Sequence, residues 1–230
     1  MMRFKFLLIF LMISFSSFAL AAEPAFKSGE TIRYTVKQGF LKVGNATLEF
    51  KGETTLDGKT LDLIVFTAKG IGFFDEERIY IDPVSFLPFR VIRTLDIPGE
   101  RSKIQEDYFP DQELIQVTKE MGGKTTVQKI EKKGAVDNIY GFIYRYRLKA
   151  DLKSVDVFEV NLPTVDVKIK KVKEVEFNAG SKMYRAALMR SVPEKYSIWF
   201  DVSEKRLPLR IAGAIGMANT VMTMLGVDDK

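Results

Sequence analysis

Asp75, Glu76 and Glu77 form the one run of three acidic residues in the chain. Paired carboxylates are what glycoside hydrolysis and calcium binding use. Neighbouring side chains on a strand face opposite ways and cannot converge, so the triplet is expected to be a solvated loop. Just before it, Gly70-Ile71-Gly72-Phe73-Phe74 sets large apolar residues among glycines. Such a loop suits an apolar lip that enters a membrane or gates a cavity, or one that folds inward over the end of the molecule. Lys168, Lys170, Lys171 and Lys173 crowd one strand-like stretch. Strict alternation would put Lys171 and Lys173 on its apolar face, so a bulge or a sheet edge is expected there. Edge lysines prevent sheet-to-sheet aggregation, and the same four could steer an anionic lipid or glycan.

The rest of the catalytic inventory is short. The chain has no His and no Cys, which removes the commonest general base. It also removes disulfides, Cys-based zinc sites, a thiol nucleophile and a lipidated N-terminal Cys. Beyond residue 22 no Ser-x-x-Lys occurs, and a Gly-x-Ser-x-Gly elbow and a phosphate loop are absent. The residues therefore point to no enzyme, no metal and no cofactor.

The elements that must position these groups are strands. With 46% apolar, 28% charged and 12% aromatic residues over 230 positions, the composition is globular. Ile32, Tyr34 and Val36 alternate with polar neighbours, as do Ala46, Leu48 and Phe50, the period of half-buried strands. Similar stretches lie near 60–68, 77–82, 88–96, 102–109, 113–119 and 124–130. A second series lies near 153–160, 164–177, 182–190, 195–201, 207–213 and 217–224. Turn signals such as Asp57-Gly58, Pro98-Gly99 and Gly122-Gly123 separate them. This spacing predicts a mainly β fold: a strongly curved antiparallel sheet or a β-barrel.

One stretch breaks the rhythm. Ile139, Phe142, Ile143 and Tyr146 fall at helical spacing, which predicts one short helix near 135–150, capped by Asp137 and packed against the sheet. It divides the region 23–230, a single β-rich domain, into two similar halves. Each half carries the same phrase: Asp82 leads to Pro88 and Arg90, and Asp201 leads to Pro208 and Arg210. The Asp closes a hairpin turn, the Pro opens the return strand where no ladder donor is needed, and Arg90 and Arg210 are placed to pair across with Asp82 and Asp201.

Residues 1–22 have a basic start, an apolar run from Phe6 to Ile13 and small residues up to Ala22, the parts of a cleaved secretory signal peptide. Removing them with Arg3 and Lys5 lowers the formal charge from +5 to +3 over 208 residues. That is no nucleic-acid footprint. The stretch Ile211 to Val227 is uncharged, but its Asn, Thr and Gly suit a buried closing strand better than a transmembrane span. Its Met217, Met222 and Met224, with Ile71, Phe73 and Phe74, are the residues expected to line a ligand cavity.

Several of these phrases carry a resemblance. Gly29 to Tyr34 followed by Gly44 to Leu48, the Asp82 to Leu87-Pro88 hairpin, and Arg101 to Phe109 with Pro110-Asp111 come first. Asp137 to Arg147 and the Trp199 to Leu207-Pro208 hairpin follow. In order and spacing they resemble the domain of unknown function 3108 family of exported bacterial proteins, over nearly all of 27–225. That resemblance implies export and supplies no catalytic residue. The Asp…Leu-Pro-x-Arg hairpin also resembles one in periplasmic lipoprotein carriers of the Lol type, whose curved sheet holds acyl chains.

Together these readings predict a periplasmic, non-enzymatic protein that binds an apolar or amphipathic, lipid-like envelope molecule in a barrel or curved-sheet cavity. The alternative is an interaction module for envelope proteins with a filled core. In either case the oligomeric state is open, and the missing Cys excludes a lipoprotein.

Overall fold

The computed structural model describes residues 25–148, 157–215 and 219–228. The expected signal peptide and Met217 lie outside them. Fourteen antiparallel strands and one helix follow in chain order. The first eight strands are β1 (Thr31–Gln38), β2 (Leu41–Leu56), β3 (Lys59–Gly70), β4 (Phe73–Ile81), β5 (Pro88–Ile97), β6 (Glu100–Phe109), β7 (Leu114–Met121) and β8 (Lys124–Glu131). After helix α1 (Ile139–Leu148) come β9 (Val157–Leu162), β10 (Val165–Ala179), β11 (Lys182–Val192), β12 (Ser197–Asp201), β13 (Pro208–Ala212) and β14 (Thr220–Asp228).

All fourteen belong to one sheet, and each strand pairs with its sequence neighbour except at two places. β1 pairs with β14, so the first and last strands meet in the middle of the sheet, and β8 and β9 are its two edges. The sheet is strongly curved and mainly antiparallel, and strand pairing does not close it.

Alternation sets which side chains face in. Ile32, Tyr34 and Val36 are wholly buried, whereas Arg33 and Lys37 are exposed. α1 lies inside the curve. Tyr140 stacks on Phe66 of β3 with ring centroids 4.5 Å apart, and Tyr146 meets Phe200 of β12 at 4.3 Å. Seven of its residues besides Arg147, from Ile139 to Tyr146, are buried, so the helix fills the interior and does not cap an open end. Its N-cap is Asn138: Tyr140 N donates to Asn138 Oδ1 at 2.8 Å. Asp137, the expected cap, pairs instead with Arg145 at 2.7 Å and accepts from Asn161 N at 3.3 Å.

The two Asp…Leu-Pro phrases fold alike. Asp82 Oδ1 accepts from Val84 N at 3.1 Å and Ser85 N at 2.7 Å, and Asp82 N donates to Leu87 O. Asp201 Oδ1 accepts from Ser203 N at 3.2 Å, and Asp201 N donates to Leu207 O. Each turn ends on a residue with positive φ before Leu-Pro, Phe86 in one and Arg206 in the other. The arginines do not pair across. Arg90 binds Asp107 and Asp57, and Arg210 lies over the Trp199 ring at 4.9 Å. Arg90 thus leaves its own hairpin for β6 and the β2–β3 turn, whereas Arg210 stays within its hairpin, opposite Trp199.

Gly44 and Gly70 oppose each other across β2 and β3, and the Phe73 ring covers both. A Cβ at Gly70 would overlap the Val43 carbonyl oxygen and that ring. Gly70→Ala is therefore expected to cost about 1–3 kcal/mol, read as a lower urea midpoint at unchanged m-value.

Candidate functional site

The acidic triplet is not a loop. Asp75, Glu76 and Glu77 lie within β4, and alternation turns Asp75 and Glu77 inward, 1% and 8% exposed. Two carboxylates at i and i+2 thus share a face, the arrangement that strand geometry allows. Arg93 of β5, which pairs with Glu77 in register, forks onto Asp75 through Nε at 2.8 Å and a second nitrogen at 2.6 Å. Its Nε also lies 3.5 Å from Glu77. Glu106 of β6 accepts from Tyr108.

Burial pushes the Glu77 carboxyl up to about 7, against the pull of Arg93 and with the help of Asp75. Burial also raises Glu106, opposed by the Tyr108 hydrogen bond and by Arg93. The Tyr140 hydroxyl is buried without a hydrogen-bond partner. Burial holds it far above the usual phenol range, and the charges of Glu77 and Asp75 add to the effect.

Beside this cluster lies a cavity of about 210 Å³, walled by Glu77, Arg93, Glu106, Asn138 and Tyr196. At ~30 Å³ each this is room for about seven waters, below the range of ordinary ligand pockets. Arg93 holds Asp75 and Tyr108 holds Glu106, so the carboxylates act as acceptors in a fixed network. Among the described residues no acidic group is arranged to hold a metal ion.

Two larger grooves flank the connection between β8 and α1. Residues 131–138 run as a strap along the gap between the sheet edges. Lys132 N donates to Glu113 O at 2.7 Å, and Lys132 Nζ meets Asp166 at 2.7 Å. Asn161 of β9 donates to Lys133 O and Ala135 O at 2.9 and 3.1 Å, and Asp137 N donates to Asn161 O at 2.6 Å. On one side is an apolar groove of about 290 Å³, with Leu87, Tyr108, Phe109, Leu114, Ile115 and Val136 in its wall. On the other is a groove of about 510 Å³ that carries Lys133, Glu159, Asn161, Asp166 and Lys168. Lys132 belongs to both walls. Asn161 Oδ1 is buried and has no partner. Such an acceptor costs roughly 1–3 kcal/mol unless a water or a ligand donor meets it.

Of the residues expected to line a ligand cavity, Phe73, Met222 and Met224 belong to the packed core instead. Phe73 starts β4 and is buried over the paired glycines, Phe74 points to the opposite face, and Ile71 sits on the turn, 99% exposed. Met222 and Met224 are core residues of β14, each 1% exposed. None of the three cavities above includes any of them. The reason is the period of β4: the strand begins at Phe73, so the supposed loop contributes only its tip.

The four lysines are exposed, and β10 shifts register between Lys171 and Lys173. Among the described residues β10 pairs with β9 as far as Lys170. Lys168 pairs with Glu159 at 3.1 Å, and Lys171 with Glu174 at 2.8 Å. The strap and Asn161 carried no sequence signal. Reading Phe73, Asp75, Glu77, Ile79 and Ile81 as one period-two face would have exposed the buried carboxylates.

An antiparallel sheet curled around its own helix, edges bridged by a strap, is the architecture of a β-barrel-like protein. The chain belongs to the family described as protein of unknown function DUF3108, which matches residues 33–225. Among solved structures it is similar to the β-barrel-like protein of domain of unknown function DUF1849 from Brucella abortus. The TM-score is 0.54 at 10% identity, over 87% of this chain and 97% of that one. At that identity the likeness speaks for the fold alone. Nothing among curated proteins matches the chain. No helix among the described residues is long and apolar enough to cross a membrane.

Proposed function

We propose that this is an exported, non-catalytic binding protein that takes an amphipathic envelope molecule at the seam between the sheet edges. The observation that carries this reading is the pair of grooves sharing Lys132, one apolar and one rich in charge. An apolar segment would lie against Leu114, Ile115 and Val136, and the polar end would reach Asn161 Oδ1. Lys132, Lys133 and Lys168 are balanced there by Glu131, Glu159 and Asp166, so the wall suits a neutral or zwitterionic head. About eight methylenes at ~0.8 kcal/mol each give roughly 6 kcal/mol gross, which after association costs means reversible binding.

The filled interior also favours a second reading, an interaction module that uses the open β8 edge. Native mass spectrometry of protein from its own host separates the two. The binding reading expects a co-purified small molecule that is lost in Val136→Trp, which fills the apolar groove, while the circular dichroism stays unchanged. A ligand-free wild type, or equal retention by the variant, would overturn it.

A further inference from the structure

The β1–β2 and β3–β4 turns carry features that the seam does not use. Phe40 and Leu41 on the β1–β2 turn are 90% and 59% exposed, and Ile71 on the β3–β4 turn is 99% exposed. β2 and β3 pair antiparallel with Gly44 opposite Gly70, so both turns stand side by side at one end. Gly39 and Gly72 take positive φ, which tightens each turn and leaves its apolar side chain projecting.

Along the strands that carry them the charge has one sign, and the nearest carboxylate of the next strand, Asp96 opposite Phe74, is paired with Arg101 at 2.6 Å. From Thr31 to Leu48 and from Leu63 to Phe74 there is no acidic residue. Lys37, Lys42 and Lys69 lie in those stretches, all exposed. The start of β14 beside them, where Thr220 pairs with Gln38, continues an uncharged run from Ile211 to Val227. Single exposed apolar residues are ordinary. Three on two adjacent tips, with lysines on the strands that carry them and the neighbouring Asp96 neutralised by Arg101, are not scattered.

We propose that these tips dock the protein on an anionic lipid surface. Phe40, Leu41 and Ile71 enter the boundary between headgroups and acyl chains, while Lys37, Lys42 and Lys69 meet lipid phosphates. A protein partner is the poorer fit, because a standard interface covers about 800 Å² per side and two narrow tips present no such face. Interfacial insertion needs only a few apolar side chains with basic neighbours. The proposal is independent of the seam, which lies between the edge strands β8 and β9, whereas the tips join strands inside the sheet.

Co-sedimentation of the full chain with phosphatidylethanolamine vesicles containing phosphatidylglycerol tests it, beside vesicles of phosphatidylcholine alone. Wild type is expected to pellet with the anionic vesicles and much less with the zwitterionic ones. F40S/I71S and K42E/K69E are each expected to bind at least about tenfold more weakly. An I71W variant, which leaves the core untouched, is expected to show a blue-shifted emission when anionic vesicles are added. Wild type left in the supernatant at low salt, equal binding by folded F40S/I71S, or an unshifted I71W spectrum would overturn the proposal.

Discussion

Replacing Arg147 by alanine is expected to lower the unfolding free energy by about 3–5 kcal/mol, the range for breaking a buried ion pair. The guanidinium is wholly buried at the C-terminal end of α1. It forks onto Glu30 at 2.5 and 2.9 Å, and it donates to Ala25 O at 2.9 Å and Lys205 O at 3.1 Å. Phe26 and Tyr144 cover its faces at 5.1 and 5.3 Å. The one side chain joins the helix to the segment before β1 and to the turn between β12 and β13. Truncation leaves the Glu30 carboxylate, itself 3% exposed, without its counter-charge. Arg147→Met with Glu30→Leu removes both charges and is expected to recover most of the loss. Urea denaturation of the three proteins reads this directly. A deficit below about 1 kcal/mol for Arg147→Ala would place the pair among solvated surface bridges.

Stability is expected to fall between about pH 4.5 and pH 7 through Glu77, and Glu77→Gln is expected to flatten that decline. Burial first, then the charge of Asp75, moves this carboxyl from 4.5 to about 7 despite Arg93. Between those values the folded state holds a proton that the unfolded state has released, so stability drops as pH rises. The full decline amounts to about 3 kcal/mol. Below pH 4.5 both states are protonated and the variant should match wild type; near pH 8 it should be the more stable protein. Asp75, Arg93, Glu106 and Tyr140 face the same space and remain in the variant. Thermal unfolding across this pH range checks the crossing, and parallel curves would show that Glu77 stays ionised in the fold.

Most of the sheet was legible because its signal is local. Each strand from β3 to β14 overlaps a stretch singled out by alternation and turn chemistry, since burial on one face writes a period of two. The helix was legible in position but not in setting. Ile139, Phe142, Ile143 and Tyr146 suggested an apolar stripe, whereas Tyr140, Gly141, Tyr144 and Arg147 are buried too. A helix inside a curled sheet is enclosed on all sides, and an arginine with a buried partner looks like a solvent face in the sequence. Asp75 and Glu77 misled for the same reason: a run of acids reads as surface until a partner such as Arg93 is known. The seam was beyond reach, because Asn161 meets Lys133 and Ala135 only once the whole sheet has curled.

The adjacency of β1 and β14 bears on how the chain reaches its native state. Thr31 pairs with Asp228, almost two hundred residues further along the chain. Closing so distant a contact is slow, and until it forms the first eight strands and the last six are separate ribbons with α1 tethered between them. Neither ribbon can bury the helix alone. Completion of the sheet therefore waits for β14, and until it docks both ribbons leave apolar faces open to aggregation.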